Sequence, residues 1–265
     1  MGLFAKEYGE GPPLVLLPWF GLDHSVMAAA CEPALAGSGW RRMYLDLPGT
    51  GNSDPVEPRS DAVADAIVST VNDLAGESSV AVVGCSYGGY LACAMAQRDP
   101  GRVAGVLMVC SSVRILPGDR DLAGVLPSTP EPGWLHDVPE QLREHFDLAV
   151  GCQTKAAADR LTAALEQNGP SDRQYLKMLR TTGYQVADER SMLAVALMPT
   201  ATIIAGRRDR IVGYRDQFDL AARSRSADYA CLDDAGHYLP FEQPARFRTL
   251  ALDWLARCHP SRRSR

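Results

Sequence analysis

The chain reads as an α/β fold in which a mostly parallel, doubly wound sheet carries a helical insertion. Three observations lead there. Short uncharged apolar runs alternate with helical patterns through residues 1–115, as a parallel sheet with crossover helices requires. The alternation resumes after residue 199 with two more strands and a last helix. Residues 116–198 hold helical patterns and no obvious strand. The expected division is a core of 1–115 and 199–258, an insertion of 116–198 and a basic tail of 259–265.

Residues 14–17, Leu-Val-Leu-Leu, form the first core strand, and a helix follows over 25–35. A strand at 42–46 and a helix at 61–74 come next. Residues 80–83 are valine and alanine only, as a strand buried on both faces should be, and they lead into a helix ending at Arg98, before Pro100-Gly101. Another strand fills 103–109. The insertion opens with Pro117, Pro127, Pro130, Pro132 and Pro139, then shows helices near 140–150, 154–167 and 171–182. So long a connection needs structure and a task, and a lid over the active edge of the sheet supplies both. The duller alternative is that its helices merely cover the sheet. Strands at 201–205 and 227–232 and a helix at 244–257 complete the core.

A chain of 265 residues, 46% hydrophobic, buries a sizeable core as one large domain or one domain with an insertion. Its net charge of −5 gives no attraction to nucleic acid or to an anionic membrane. No apolar run is long enough to span a bilayer, and the N-terminus lacks a basic segment followed by a hydrophobic one, so a cytoplasmic location is expected. Seven scattered cysteines without a C-x-x-C pair read as buried thiols. Lysine occurs only at positions 6, 155 and 177, a pattern of high-GC bacterial genomes. The expected partners are a small-molecule substrate and, at most, a second copy in a homodimer.

Chemistry concentrates at Gly84-Cys85-Ser86-Tyr87-Gly88, set between a strand and a helix. A serine on such a sharp turn is pushed out of the sheet, and the flanking glycines let strand and helix approach. The N–H of Tyr87, at the helix start, faces any oxygen that gains charge when Ser86 attacks a carbonyl. An ordinary glycine-rich turn would not need the buried strand before it and the helix after it.

A serine nucleophile needs a base, and the base needs a group to fix its tautomer. Of five histidines, His237 stands out, because it lies in a glycine-containing loop between the last strand and the last helix. His24 follows the first strand's loop and is a candidate for lining the site. His136 and His145 fall in the insertion and His259 in the tail, where they read as ordinary polar residues. Asp209, directly after the strand ending at Ala205, is the expected acid. Asp233 and Asp234 are too near His237 to reach back to its Nδ1, and Asp121 is the runner-up.

Four segments in order resemble the α/β-hydrolase superfamily over essentially the whole chain. They are Asp46-Leu-Pro-Gly-Thr-Gly-Asn-Ser-Asp54, the turn at 84–89, the acid loop at 206–212, and Gly236-His237 with Glu242-Gln-Pro244. The resemblance implies that Phe20 supplies a second N–H to the oxyanion hole beside that of Tyr87. Relatives usually carry His-Gly where this chain has Pro18-Trp19-Phe20-Gly21, so Trp19 is placed to intrude on the pocket. With only residues 3–8 before Gly9, the usual first strand is expected to be missing and the sheet to have about seven strands.

By the same resemblance, serine at the turn favours acyl chemistry over the branches that use a carboxylate nucleophile. Hydrolysis of an ester, lactone, thioester or related acyl bond through an acyl-enzyme is the leading expectation. Carbon–carbon bond hydrolases of the family usually place asparagine beside the serine and arginine in the lid; here the neighbour is Cys85, which counts against carbon–carbon bond cleavage and leaves it an alternative only. Acyl elimination, acyl transfer or cyclisation on the same triad, or service as a ligand receptor, are the alternatives. Trp19, His24, Trp134 and Tyr184 are the substrate-binding candidates. With Phe20, Tyr175, Met178 and Met192 they favour an apolar or aromatic small molecule, although such residues also serve packing. Without a ligand-spaced histidine or cysteine cluster, or a glycine-rich phosphate loop after the first strand, no metal or organic cofactor is expected.

Overall fold

The computed structural model describes residues 2–99, 101–194 and 200–258. Its strands are β1 (Ala5–Tyr8), β2 (Pro13–Leu17), β3 (Arg41–Leu45), β4 (Val80–Cys85), β5 (Val103–Val109), β6 (Thr200–Gly206) and β7 (Ala227–Leu232). They form one sheet in the order β1-β3-β2-β4-β5-β6-β7. Only β1 is antiparallel. The sheet thus has the seven strands expected, and its first, β1, is a short run within residues 3–8. Ala-Lys-Glu-Tyr gives no apolar signal because it is an edge strand with mostly exposed side chains, held to β3 by its backbone.

The helices are α1 (His24–Leu35), α2 (Ser60–Ala75), α3 (Tyr87–Arg98), α4 (Glu140–Ala149), α5 (Lys155–Leu165), α6 (Arg173–Thr182), α7 (Glu189–Ala194), α8 (Arg215–Arg223), α9 (Leu239–Glu242) and α10 (Pro244–Cys258). Successive strand residues point to opposite faces, so one apolar run fills two cores. Val15, Leu17, Val80, Val82, Val106 and Met108 pack with α2, α3 and α8. Leu14, Leu16, Ala81, Val83, Leu107 and Val109 pack with α1 and α10. Burial on both faces explains why these strands carry no charge.

The helical insertion lies between β5 and β6 and divides itself between the two cores. Phe146 and Ala149 of α4 and Ala158 and Leu161 of α5 join the α1/α10 side. Tyr175 and Leu179 of α6, with Tyr184 and Met192, join the α2/α3 side. Side-chain caps start two of these helices: Thr154 accepts from the Ala157 N–H and Asp172 from the Tyr175 N–H. The insertion is tied to the β3–α2 loop by the Gly51 N–H on the Pro170 carbonyl, 2.8 Å, and by a bridge pairing Thr50 with Ser171. The expected tail at 259–265, with His259, and the boundary at 198/199 lie outside the described residues. Among those residues no helix is long and apolar enough to cross a membrane.

Candidate active site

The order of the strands reverses between β2 and β4, and a site is expected in the crevice beyond their carboxyl ends. Ser86 stands there, between β4 and α3, at φ 53° and ψ −116°. This left-handed backbone costs a non-glycine residue about 1–3 kcal/mol and persists only where its surroundings impose it. Here its N–H donates to the Val109 carbonyl at 3.1 Å, and its own carbonyl accepts from Tyr90 and Ser112, both at 3.2 Å. A Cβ at Gly84 would sit 2.4 Å from the Gly88 carbonyl oxygen, and one at Gly88 would sit 2.2 Å from that of Leu17. Both flanking glycines are thus required by close backbone approach. Tyr87 opens α3, so its N–H has no acceptor within the helix. Its hydroxyl is 2.8 Å from Ser60 Oγ, which donates to the Tyr184 carbonyl at 2.6 Å.

The loop after β6 brings Asp209 to the loop after β7. Asp209 is fully buried, and its Oδ1 accepts from the N–H groups of Ile211 and Val212 at 2.8 and 3.0 Å. Those donors hold the carboxylate so that Oδ2 lies 2.9 Å from His237 Nδ1. Asp233 and Asp234 do not make this contact: Asp234 pairs with Arg208 at 2.9 Å. Asp121 instead faces Arg215, 3.8 Å away.

Ser86 and His237 line one cavity of about 160 Å3 with Trp19, Phe20, Ser112, Arg120, His145, Arg180, Tyr184, Ile211 and Tyr238. Trp19 forms a wall rather than an obstruction. Its indole N–H donates to the His237 carbonyl at 3.3 Å, and its ring packs on Tyr238 and Phe241. Tyr87 and Tyr184 stack, and Phe20 meets both rings edge to face, with centroids 5.2–5.4 Å apart. Cys85 is buried in the α1/α10 core, where desolvation pushes its thiol far above the ordinary value.

Two candidates lie elsewhere. His24 Nδ1 is 2.8 Å from Asp46 Oδ1, and Asp46 also accepts from the N–H groups of His24 and Asn52. The histidine thus belongs to the clasp of the 46–54 loop, and strand-end proximity alone misplaces it. Asp23, His24 and Asp46 offer ligand atoms within 4.8 Å of one another. Yet Asp23 is occupied by the Ser25 and Gly169 N–H groups, as Asp46 is by its own donors. Trp134 is 6% exposed and packs in the α1/α10 core instead of lining the cavity.

Three cavity residues carry chemistry that sequence reasoning missed. The Arg180 guanidinium lies 5.1 Å from the Phe20 ring centroid and 6.0 Å from that of Tyr184. Arg120 donates to three backbone carbonyls, those of Arg114, Ile115 and Ile211. Burial lowers its pKa, and Arg180 adds to that. Tyr184 is pushed up by burial and pulled down by both arginines. Neither guanidinium has a carboxylate at ion-pair distance among the described residues, so this wall is net positive. His145 Nε2 is 2.9 Å from the Tyr238 hydroxyl, and burial, then His237, lowers its pKa. No sequence pattern distinguishes these three from surface residues.

Residues 14–250 match the model of the alpha/beta hydrolase family, so the chain belongs to that family and is a hydrolytic enzyme of its superfamily. It is 30% identical over 249 residues to the pimeloyl-[acyl-carrier protein] methyl ester esterase of Methylococcus capsulatus, covering 91% of this chain and 93% of that protein. It is 27% identical over 240 residues to 2-hydroxy-6-oxononadienedioate/2-hydroxy-6-oxononatrienedioate hydrolase 2 of Pseudomonas putida, covering 84% and 79%. Among solved structures, an α/β superfamily hydrolase from Oenococcus oeni superposes with a TM-score of 0.87 at 24% identity, covering 96% of this chain and 95% of that one. This last likeness is one of fold.

Proposed function

We propose that the chain is a serine-nucleophile acyl hydrolase whose triad is Ser86, His237 and Asp209. The observation that carries this is a serine held in a strained turn, sharing one cavity with a histidine whose Nδ1 is bound to a buried carboxylate. Ser86 Oγ attacks the carbonyl carbon while His237 Nε2 takes its proton, and Asp209 stabilises the imidazolium. The N–H groups of Tyr87 and Phe20 bind the oxyanion. As the tetrahedral intermediate collapses, the bond to the leaving group breaks and the imidazolium protonates that group. Water then attacks the acyl-enzyme by the same route, releasing the acid and restoring Ser86. The insertion acts as the lid of this site, since Tyr184 and Arg180 reach the cavity from it.

The substrate is a small molecule with an apolar body, set against Phe20, Trp19 and Tyr184, and an anionic end, set against Arg120 and Arg180. The scissile bond is the C–O bond of an ester or, as a second reading, a carbon–carbon bond beside a ketone. The positive wall favours this second reading, because a carbanionic leaving group conjugated to a carboxylate is best held by cations. The similarity to an oxononadienedioate hydrolase adds support. The test compares wild type and Ser86→Ala on a p-nitrophenyl ester and on a 2-hydroxy-6-oxo-dienedioate. Loss of both activities in the variant supports the nucleophile, and the larger kcat/KM identifies the bond. Ligand binding without turnover of either probe would favour a receptor instead.

A further inference from the structure

Glu242 is a buried carboxylate that the proposed chemistry does not touch. It closes α9, between His237 and α10, and is 4% exposed. Its Oε2 accepts from the N–H groups of Gly151 at 2.8 Å, Cys152 at 2.7 Å and Gly236 at 2.8 Å. Its Oε1 accepts from the N–H of Tyr238 at 3.0 Å. Two of these donors belong to the insertion, in the loop between α4 and α5, and the other two flank His237. Burial raises the carboxyl pKa, and the Cys152, Gly236 and Gly151 donors oppose it.

The two loops also meet backbone to backbone. The His237 N–H donates to the Ala149 carbonyl at 2.7 Å. A Cβ at Gly151 would lie 2.4 Å from the Gly236 nitrogen, and one at Gly236 would lie 2.3 Å from the Gly151 nitrogen. A side chain needed only to fill this space would be apolar, because burying a carboxylate is costly unless its oxygens are fully bonded. All four bonds here go to segments that either carry the imidazole or press on it.

We propose that Glu242 is a positioning residue for His237. It fastens residues 151–152 of the insertion to the histidine loop, so the imidazole is aligned with Ser86 only while the insertion is docked. This rests on the assignment of His237 as the base.

The test uses Glu242→Gln, which keeps the shape but turns one acceptor into a donor, and Gly151→Ala, which pushes the loops apart from the insertion side. With a p-nitrophenyl ester, each variant should lose about 10- to 100-fold in kcat, the scale of a small misplacement of a catalytic group, with KM within about twofold of wild type. The low-field proton signal of His237 Nδ1–H should shift or broaden in both, while circular dichroism shows a folded chain. A wild-type kcat and an unshifted proton in Glu242→Gln overturn the proposal, and a wild-type kcat in Gly151→Ala overturns its insertion half. If both variants fail to fold, the carboxylate is a clamp for the fold alone and positioning is refuted. Ser86→Ala run in parallel separates the cases. An active Ser86→Ala removes the catalytic assignment itself, whereas an inactive one beside an unaffected Glu242→Gln removes only the positioning role.

Discussion

Replacing Asp209 by asparagine separates orientation of the base from shape, because the amide is nearly isosteric with the carboxylate. Two orientations compete. In the first, the amide oxygen keeps the Ile211 and Val212 N–H bonds, 2.8 and 3.0 Å in the wild type, and the NH2 faces His237 Nδ1. The imidazole must then carry its proton on Nε2, where it cannot accept one from Ser86. In the second, the oxygen faces Nδ1 and the correct tautomer survives, but the NH2 is driven against two backbone donors. Leaving those buried donors unsatisfied costs about 1–3 kcal/mol each, or about 2–6 kcal/mol together. The competent form is therefore disfavoured by between about 30-fold and about 3 × 10⁴-fold, at 1.36 kcal/mol per factor of ten. The kcat for a p-nitrophenyl ester should fall within that range, with thermal stability near that of wild type. An Asp209→Asn variant within fivefold of wild type would mean that the acid is another residue, and Asp121 or Asp234 would have to be tried next.

Ser86→Ala and His237→Ala should each cost about 10⁴- to 10⁶-fold in kcat, and the double variant should be scarcely worse, because the two act as a unit; additive losses would contradict a shared mechanism. A sulfonyl fluoride or organophosphonate should modify Ser86 once per chain, read by peptide mass spectrometry, and activity should survive a chelator. Arg180→Met should raise KM about 10-fold or more for a carboxylate-bearing ester while leaving a neutral ester within about twofold, the size of losing one charge-assisted contact; equal effects on both esters would remove the anion-binding assignment. Tyr184→Ala should change the ranking of acyl chain lengths more than it lowers the melting temperature, and an unchanged ranking would leave the residue a packing role only.

The sequence discloses what is local and leaves out what is assembled. The serine turn, the acid loop and the histidine loop each sit at a strand end and carry glycine where backbones approach, so neighbouring residues announce them. Strands buried on both faces are equally plain. An edge strand such as β1 is held by main-chain bonds and has no need of apolar residues, so nothing marks it. Helix α8 also escapes, because part of its inner face is polar: Asp216 accepts from Arg114 and from the Asp121 N–H, and Gln217 accepts from the Ser111 N–H. Arg120 and Arg180 reach one cavity from opposite ends of the insertion, and no spacing along the chain encodes that meeting. His24 shows the converse error, since it follows a strand as site residues do but closes a neighbouring loop.

The division of the insertion between both faces of the sheet bears on how such enzymes can be re-engineered. An appendage seated on one surface can be exchanged between homologues as a cassette, cut at two points in sequence. Here an exchange would replace part of two interiors at once, and the donor segment would meet foreign neighbours at Phe146 and Leu161 on one side and at Tyr175 and Leu179 on the other. Diversification of specificity in this scaffold is therefore channelled into single side chains that reach the cavity, and wholesale chimeras would first require both interiors to be redesigned together.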